Sequence, residues 1–148
     1  MATNGYFMVT AATLTTVLVV VLLHYEVLSF LNRHLTHFSQ KPRPRMLILI
    51  LALFLTHVAE IWIFAGTFWL LGKDAGLGQL MYIDHPTAGN LLDYVYFSAT
   101  VYTTVGFGDI IPGGHIRFLV GTEALAGLML ITWSASFTFL EMQRYWRG

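Results

Sequence analysis

The segment Thr103–Asp109, T-T-V-G-F-G-D, holds residues whose types and spacing suit the coordination of a cation. Gly106 and Gly108 accept backbone angles that are closed to other residues, which lets successive carbonyl oxygens point toward one axis. Thr104 can add its hydroxyl oxygen. One strand cannot surround an ion, so several copies of the chain must meet around that axis. For an isolated G-x-G pair, the alternative is a simple turn between two helices.

The element that positions this segment is predicted to be a short helix. Asn90 can accept backbone hydrogen bonds as an N-cap, and Asp93 falls in the first turn, where the helix dipole favours negative charge. The helix then runs from about Leu91 to Thr103 and spans roughly half of the hydrocarbon core of a membrane. Its C-terminal end carries partial negative charge, which favours cations over anions at the segment that follows.

The composition is that of a membrane protein. The chain has 148 residues, of which 56% are hydrophobic and 11% are charged. A helical span needs roughly 20 apolar residues, and residues 6–30, 46–71 and 116–146 are each long enough. The first stretch lacks the charge and cleavage pattern of a signal peptide, so we expect a retained helix. The absence of cysteine and the zero net charge argue against thiolate metal sites and nucleic-acid binding.

The distribution of basic residues predicts the topology. Lys and Arg favour the cytoplasmic side of short loops, and here they cluster in two places: Arg33, Lys41, Arg43 and Arg45 between the first two spans, and Arg144 and Arg147 near the C-terminus. The N-terminus is then outside and the C-terminus is cytoplasmic. Residues 91–105, on the outer side, are too apolar for a surface loop and are predicted to dip into the membrane. Irregular backbone at that depth implies a pore.

The two connections between the spans are predicted to be irregular. Pro42 and Pro44 should prevent one helix from running through the basic stretch, so residues 32–45 are predicted to form a polar cytoplasmic linker. After the second span, the glycines and the proline between Gly72 and Gly89 predict a long loop, which also contains Asp84 and Pro86.

The complete Thr103–Asp109 segment closely resembles the signature of potassium channels, in which a ring of backbone carbonyls replaces the hydration shell of the ion. The resemblance to the minimal pore domain of that family covers approximately residues 46–146. It implies passive, K⁺-selective conduction by a homotetramer in the cell membrane, with the lipid bilayer and three further copies of the chain as partners. It implies no enzymatic activity and no cofactor besides K⁺ as the permeant ion.

The fold class implied by the resemblance is an all-α membrane protein with three transmembrane helices per subunit, a re-entrant pore helix and a selectivity-filter loop. Residues 1–31 form an additional N-terminal helix, and residues 46–148 form the pore domain. The parts of that domain are an outer helix 46–71, a pore helix at about 91–103, a filter 104–108 and an inner helix at about 116–146. The ion-binding residues are Thr104, Val105, Gly106, Phe107 and Gly108.

The filter and the residues that support it depart from the family in two respects. Phe107 stands where relatives often have tyrosine, and alignment of the motifs places Phe97 and Val101 opposite it, as an apolar brace without hydroxyl partners. Thr100 stands where some relatives have a carboxylic acid that contacts the aspartate after the filter. Thr103 precedes the filter, and Tyr96 could still reach Asp109 by a hydrogen bond.

The inner helix contains a possible hinge and a possible gate. The resemblance places a hinge glycine at Gly127, where glycine lowers the cost of bending; close helix packing is an equally good reading. A stripe at four-residue spacing continues through Ile131, Ala135 and Phe139. The Phe139 ring could form a hydrophobic constriction, although simple packing is the more common role of such a residue.

Several titratable residues fall within the spans. His57 and Glu60 lie near the middle of the second span, where we expect them to hydrogen-bond to each other or to pair with another helix. Their spacing would also suit a metal, but no further ligand motif accompanies it, so no structural metal is expected. His24 and Glu26 are expected to snorkel toward the cytoplasmic boundary, and Glu123 to be buried against the second span or the pore helix. Proton-sensitive gating through His24 or His57 is a further hypothesis.

Four other functions compete with a potassium channel. A weakly selective cation channel would need only small changes around the filter. A nonconducting scaffold or regulatory subunit would use the same spans without forming a homotetramer. An intramembrane enzyme built on His57 and Glu60 would lack an evident nucleophile, and a potassium transporter would usually require several pore units in one chain.

Overall fold

The computed structural model describes residues 2–38, 42–74, 76–83 and 89–146. Within these residues the chain forms four α-helices and two short strands in the order α1 (Ala2–Phe38), α2 (Pro42–Leu71), β1 (Leu80–Tyr82), α3 (Leu91–Tyr102), β2 (Ile110–Pro112) and α4 (Arg117–Trp146), with a 3₁₀ turn over Gly114–Ile116. Three helical stretches, residues 4–34, 43–71 and 114–144, are long and apolar enough to cross a membrane. The helical architecture predicted from the apolar stretches is therefore confirmed.

The predicted linker over residues 32–45 is wrong for most of its length. Helix α1 continues to Phe38 and α2 begins at Pro42, so residues 32–38 and 42–45 are helical. The two prolines do not interrupt α2 because they lie in its first turn, where the backbone N–H groups have no intrahelical acceptor. Lys41 lies outside the described residues, as do Asp84, Pro86 and Arg147.

Helix α3 begins where the sequence predicts. The Asn90 side chain accepts hydrogen bonds from the backbone N–H groups of Leu92 at 2.8 Å and Asp93 at 3.2 Å, and the Asp93 carboxylate accepts from the Asn90 N–H at 2.8 Å. This reciprocal capping box satisfies backbone donors that a helix start leaves unpaired. The helix ends at Tyr102, with Thr103 as its C-cap.

A two-stranded ribbon, which was not predicted, joins the connection after α2 to the segment before α4. Strands β1 and β2 pair antiparallel, with Leu80 opposite Pro112 and Tyr82 opposite Ile110. Next to the ribbon, the Leu77 carbonyl accepts hydrogen bonds from the N–H groups of His115 and Ile116. The chain after the filter segment is thereby tied to the connection that follows α2.

The main core lies where the four helices meet. Its fully buried side chains include Phe64 and Phe68 of α2, Tyr102 of α3 and Leu119 of α4. The Phe68 ring packs edge-on against Phe97 of α3, with 5.3 Å between the ring centroids. The core therefore fixes α3 between the two helices that precede and follow it.

Contacts near the helix ends show which termini lie together. Arg45, near the start of α2, lies 3.5 Å from Glu141, near the end of α4, and Glu141 also pairs with Arg144 at 2.6 Å. At the opposite end of the bundle, the Tyr6 ring of α1 lies 4.0 Å from the His115 ring, measured between centroids. The start of α1 and the start of α4 are thus on one side, and the start of α2 and the end of α4 are on the other.

Candidate functional site

The segment after α3 has an alternating backbone conformation. Thr104, Gly106 and Gly108 have φ angles of +61°, +53° and +80°, whereas φ is not positive at the intervening Val105 and Phe107. Among the described residues, Thr104 is the one non-glycine residue with a positive φ. A left-handed conformation costs a non-glycine residue about 1–2 kcal/mol, so the surrounding structure must hold Thr104 in place.

Hydrogen bonds to α3 orient the peptide groups of this segment. The Thr104 N–H donates to the Val101 carbonyl at 2.9 Å, and the Gly106 N–H donates to the Thr100 carbonyl at 3.0 Å. The N–H and C=O groups point in opposite directions across a trans peptide bond, and the described residues contain no cis bond. The carbonyl oxygens of residues 103 and 105 therefore point away from α3, toward the exposed side of the segment.

Asp109 is hydrogen-bonded to Tyr96, as the sequence predicts. The Tyr96 hydroxyl donates to Asp109 Oδ2 at 2.9 Å. This hydrogen bond raises the pKa of Tyr96, so the phenol remains a donor at neutral pH. The Tyr96 ring also lies nearly parallel to Phe107, at 3° and 6.4 Å between centroids. Phe107 and Asp109 are thus both in contact with Tyr96 of α3.

Three of the other predicted support residues, Phe97, Thr100 and Val101, are buried on α3. Phe97 and Val101 belong to the main core, and the Thr100 hydroxyl donates to the Phe97 carbonyl at 2.8 Å. Thr103 is exposed and donates to the Ala99 carbonyl at 2.7 Å. Within one chain the ring contact of Phe107 is with Tyr96. The apolar brace of Phe107 by Phe97 and Val101 therefore stays a prediction.

Gly127 allows α4 to lie directly against the end of α3. A Cβ atom added at Gly127 would lie 2.1 Å from the Tyr102 carbonyl oxygen and 2.9 Å from its carbonyl carbon. Helix α4 is continuous from Arg117 to Trp146. These facts support the close-packing role of Gly127, while the hinge stays a prediction. Ile131, Ala135 and Phe139 are exposed on the same helix, and their place in a gate also stays a prediction.

A buried polar cluster lies behind the end of α3. His24 and Glu60 have no exposed surface, and His24 Nδ1 lies 2.8 Å from Glu60 Oε1. His57 Nδ1 lies 2.9 Å from Glu60 Oε2, and the Tyr102 hydroxyl donates to the same oxygen at 2.5 Å. The prediction that His57 and Glu60 bond to each other and to another helix is confirmed.

The prediction that His24 snorkels to the membrane boundary is wrong, although Glu26 is exposed. His24 is held inside the bundle because the buried Glu60 carboxylate needs a donor from a neighbouring helix. Donor atoms of His24, His57 and Glu60 lie within 4.8 Å of one another. In this structure Glu60 is hydrogen-bonded to both histidines, at 2.8 Å to His24 and 2.9 Å to His57.

A second buried polar contact fixes the middle of α3. Glu123 has no exposed surface, and its Oε1 lies 2.5 Å from the Ser98 hydroxyl, which also lies 2.9 Å from the Ile61 carbonyl. Glu123 is therefore buried against α3, which is one of the two positions predicted for it. Ser134 of α4 also contacts the buried cluster, with its hydroxyl 3.0 Å from His57 Nε2. The roles of Ser98 and Ser134 were missed because small hydroxyl residues are common in membrane helices and give no distinctive sequence signal.

Fold and site together define a multi-pass membrane protein with an exposed row of backbone carbonyls beside a buried short helix. A family model described as an ion channel matches residues 46–144, about two thirds of the chain. The protein therefore belongs to this ion channel family, and α1 lies outside the matched region. Searches of curated proteins and of solved structures give no match.

Proposed function

We propose that this protein is one subunit of a homotetrameric, K⁺-selective channel whose filter is formed by residues 104–108. The observation that carries the proposal is the alternation of φ at Thr104, Gly106 and Gly108. With the Thr104 and Gly106 N–H groups tied to α3, the carbonyls on the other side are available to an ion. Four such segments around an axis would replace the hydration shell of K⁺.

The position of α3 favours a cation at this segment. The helix ends at Tyr102, immediately before the filter, and the C-terminal end of a helix carries partial negative charge. The resemblance of the T-V-G-F-G segment to potassium-channel filters favours K⁺ over Na⁺. The bond from Tyr96 to Asp109 supports a filter held at a fixed width.

The exposed surface of one chain favours assembly with further copies. Val105 is 57% exposed and Phe107 is 69% exposed. Contiguous exposed apolar surface beside a polar carbonyl row is typical of an interaction site. The exposed stripe of Ile131, Ala135 and Phe139 on α4 fits a surface that lines the proposed pore.

The helix ends fit the predicted orientation in the cell membrane. Arg45 and Arg144 lie at the end of the bundle where α2 begins and α4 ends, and basic residues favour the cytoplasmic side. Tyr6 and His115 lie at the opposite end, which would be outside. Helix α3 would then enter the membrane from the outside and return through the filter.

The test is K⁺ and Na⁺ flux through the purified full chain in liposomes. In the variant Gly106→Ala, alanine must adopt a φ of +53°, at a cost of about 1–2 kcal/mol per subunit. We expect K⁺-selective flux in the wild type and its loss in Gly106→Ala. Gly66→Ala on α2 is the matched control, since an added Cβ there meets nothing within 4 Å.

Two of the alternative functions have their own outcomes in this assay. Equal K⁺ and Na⁺ flux that Gly106→Ala abolishes would identify a weakly selective cation channel. No flux from a correctly assembled wild-type protein would favour a nonconducting scaffold or regulatory subunit. Loss of flux in Gly66→Ala as well as Gly106→Ala would show that the effect is not specific to the filter.

A further inference from the structure

The buried polar cluster forms a closed ring of hydrogen bonds across three of the helices. Glu60 of α2 contacts His24 of α1 at 2.8 Å and His57 of α2 at 2.9 Å through the Nδ1 atoms of the two histidines. The Nε2 atoms of both histidines lie near the hydroxyl of Ser134 on α4, at 3.3 Å for His24 and 3.0 Å for His57. The ring therefore runs from Glu60 through both histidines and closes at Ser134.

Helix α3 joins the ring through Tyr102. Its hydroxyl lies 2.5 Å from Glu60 Oε2 and 2.9 Å from His57 Nδ1. The titratable groups that face the ring are thus His24 from α1, His57 and Glu60 from α2, and Tyr102 from α3. From α4 the ring receives the Ser134 hydroxyl.

The protons required by these contacts can be counted. A separation of 2.5 Å between the Tyr102 and Glu60 oxygens requires the phenol proton between them. His57 Nδ1 lies 2.9 Å from both oxygens, so it must carry a proton of its own. His24 Nδ1 likewise donates to the carboxylate. Each histidine thus has its Nδ1 protonated, and both Nε2 atoms face Ser134.

Ser134 can satisfy only one of those two nitrogens as a donor, because a hydroxyl group has one proton. If the other Nε2 also carries a proton, it donates to Ser134, and every contact in the ring is satisfied. One histidine is then an imidazolium, which neutralises the Glu60 carboxylate.

We propose that the ring of His24, Glu60, His57 and Ser134 binds one exchangeable proton that the two histidines share across the serine hydroxyl. Without it, a buried carboxylate has no compensating charge and one hydroxyl faces two acceptors, both of which are costly in a buried site. The proton therefore holds α1 against α2 and α4. As pH rises and the proton leaves, these contacts weaken.

Through the ring, the contacts of α1 can affect the position of the filter. This step rests on the proposed function. Tyr102 is the last residue of α3 and lies two residues before Thr104, the first filter residue. Loss of the proton removes a donor contact at Ser134 and the charge that balances Glu60. The carboxylate that holds Tyr102 is then less firmly fixed against α1 and α4, so K⁺ flux falls at alkaline pH. The helix that lies outside the region matched by the ion channel family thus controls the end of α3.

The decisive measurement is ¹⁵N NMR of labelled histidine side chains in the full chain, reconstituted in lipid bilayers between about pH 5 and pH 9, a range that brackets an ordinary histidine. His24→Gln and His57→Gln assign the two signals. Near neutral pH we expect the imidazolium fractions of His24 and His57 to add up to about one proton. Two neutral histidines in the wild type near neutral pH would overturn the proposal, whatever the variants do.

Glu60→Gln provides the matched test. An amide accepts from His24 and donates to His57, so the ring closes with two neutral histidines and no extra proton. We expect the imidazolium signal to disappear in this variant, and an imidazolium that persists would overturn the proposal. Glu26→Gln, at an exposed position of α1, is the control and should leave both signals unchanged.

Flux measurements over the same pH range separate this inference from the proposed function. Alkaline loss of K⁺ flux in the wild type, absent in Glu60→Gln, would support the coupling of the ring to the filter. A shared proton seen by NMR in a protein without flux would support the shared-proton proposal and contradict the proposed channel function. K⁺ flux from a protein whose His24 and His57 are both neutral would support the channel function and contradict the shared-proton proposal.

Discussion

Replacement of Gly127 by alanine tests whether this glycine serves close packing or bending. The added methyl carbon would start 2.1 Å from the Tyr102 carbonyl oxygen, and ordinary contact begins at 3.4 Å. The end of α3 or the adjoining turn of α4 must therefore shift by about 1.3 Å, the difference between those distances. Overpacking of this kind typically costs about 1–3 kcal/mol. We expect the upper part of that range, because the obstructing atom belongs to the backbone of a helix end.

The same shift would displace the filter, since Thr103 and Thr104 directly follow Tyr102. We therefore expect Gly127→Ala to lower both the thermal stability of the purified protein and its K⁺ flux in liposomes. Gly121→Ala on the same helix is the control, because its Cβ would meet nothing within 4 Å. Alanine there should preserve stability or raise it by up to about 1 kcal/mol.

Two results would refute this reasoning in different ways. If Gly127→Ala has wild-type stability and flux, the close approach of α4 to Tyr102 is not important to the folded protein. If flux falls while stability stays unchanged, Gly127 acts as a hinge, because alanine would stiffen the helix without straining the closed packing.

Two further predictions concern Glu123 and Phe139. The Ser98 hydroxyl has one proton but lies within 2.9 Å of both the Ile61 carbonyl and Glu123, so Glu123 should be neutral and donate to Ser98. Glu123→Gln should therefore keep wild-type thermal stability, whereas Glu123→Ala should lose about 1–3 kcal/mol by leaving buried groups unpaired; equal losses in both would contradict a neutral carboxyl group. Phe139 is 58% exposed, so Phe139→Ala should cost little stability and should raise K⁺ flux through the removal of a hydrophobic constriction. Unchanged flux in Phe139→Ala would reject the gate.

Features that depend on neighbouring residues in the sequence were predicted well. The apolar stretches located three long helices, and Asn90 with Asp93 located the start of α3 because a capping box is formed within four residues. Helix ends were harder to predict. Pro42 and Pro44 were read as helix breakers, but the same residues are compatible with the first turn of α2.

Features that depend on distant residues were mostly missed. The β1–β2 ribbon pairs segments about thirty residues apart, and each strand has three residues, too few to show an alternating pattern. The burial of His24 depends on how α1 is rotated against α2, which apolar composition alone does not determine. Tyr96 and Asp109 were an exception, because the resemblance of the filter to known channels supplied their relative positions.

The buried ring lies within a single chain, and this has a consequence for biosynthesis. Helix α1, which carries His24, is synthesised before α2, which carries Glu60. The two helices can therefore insert as a hairpin in which these polar groups are already paired. Each newly made chain can then pair these groups before it meets another copy in the proposed tetramer, in line with the two-stage assembly of membrane helices. A substitution in the ring would first disturb the fold of the chain that carries it.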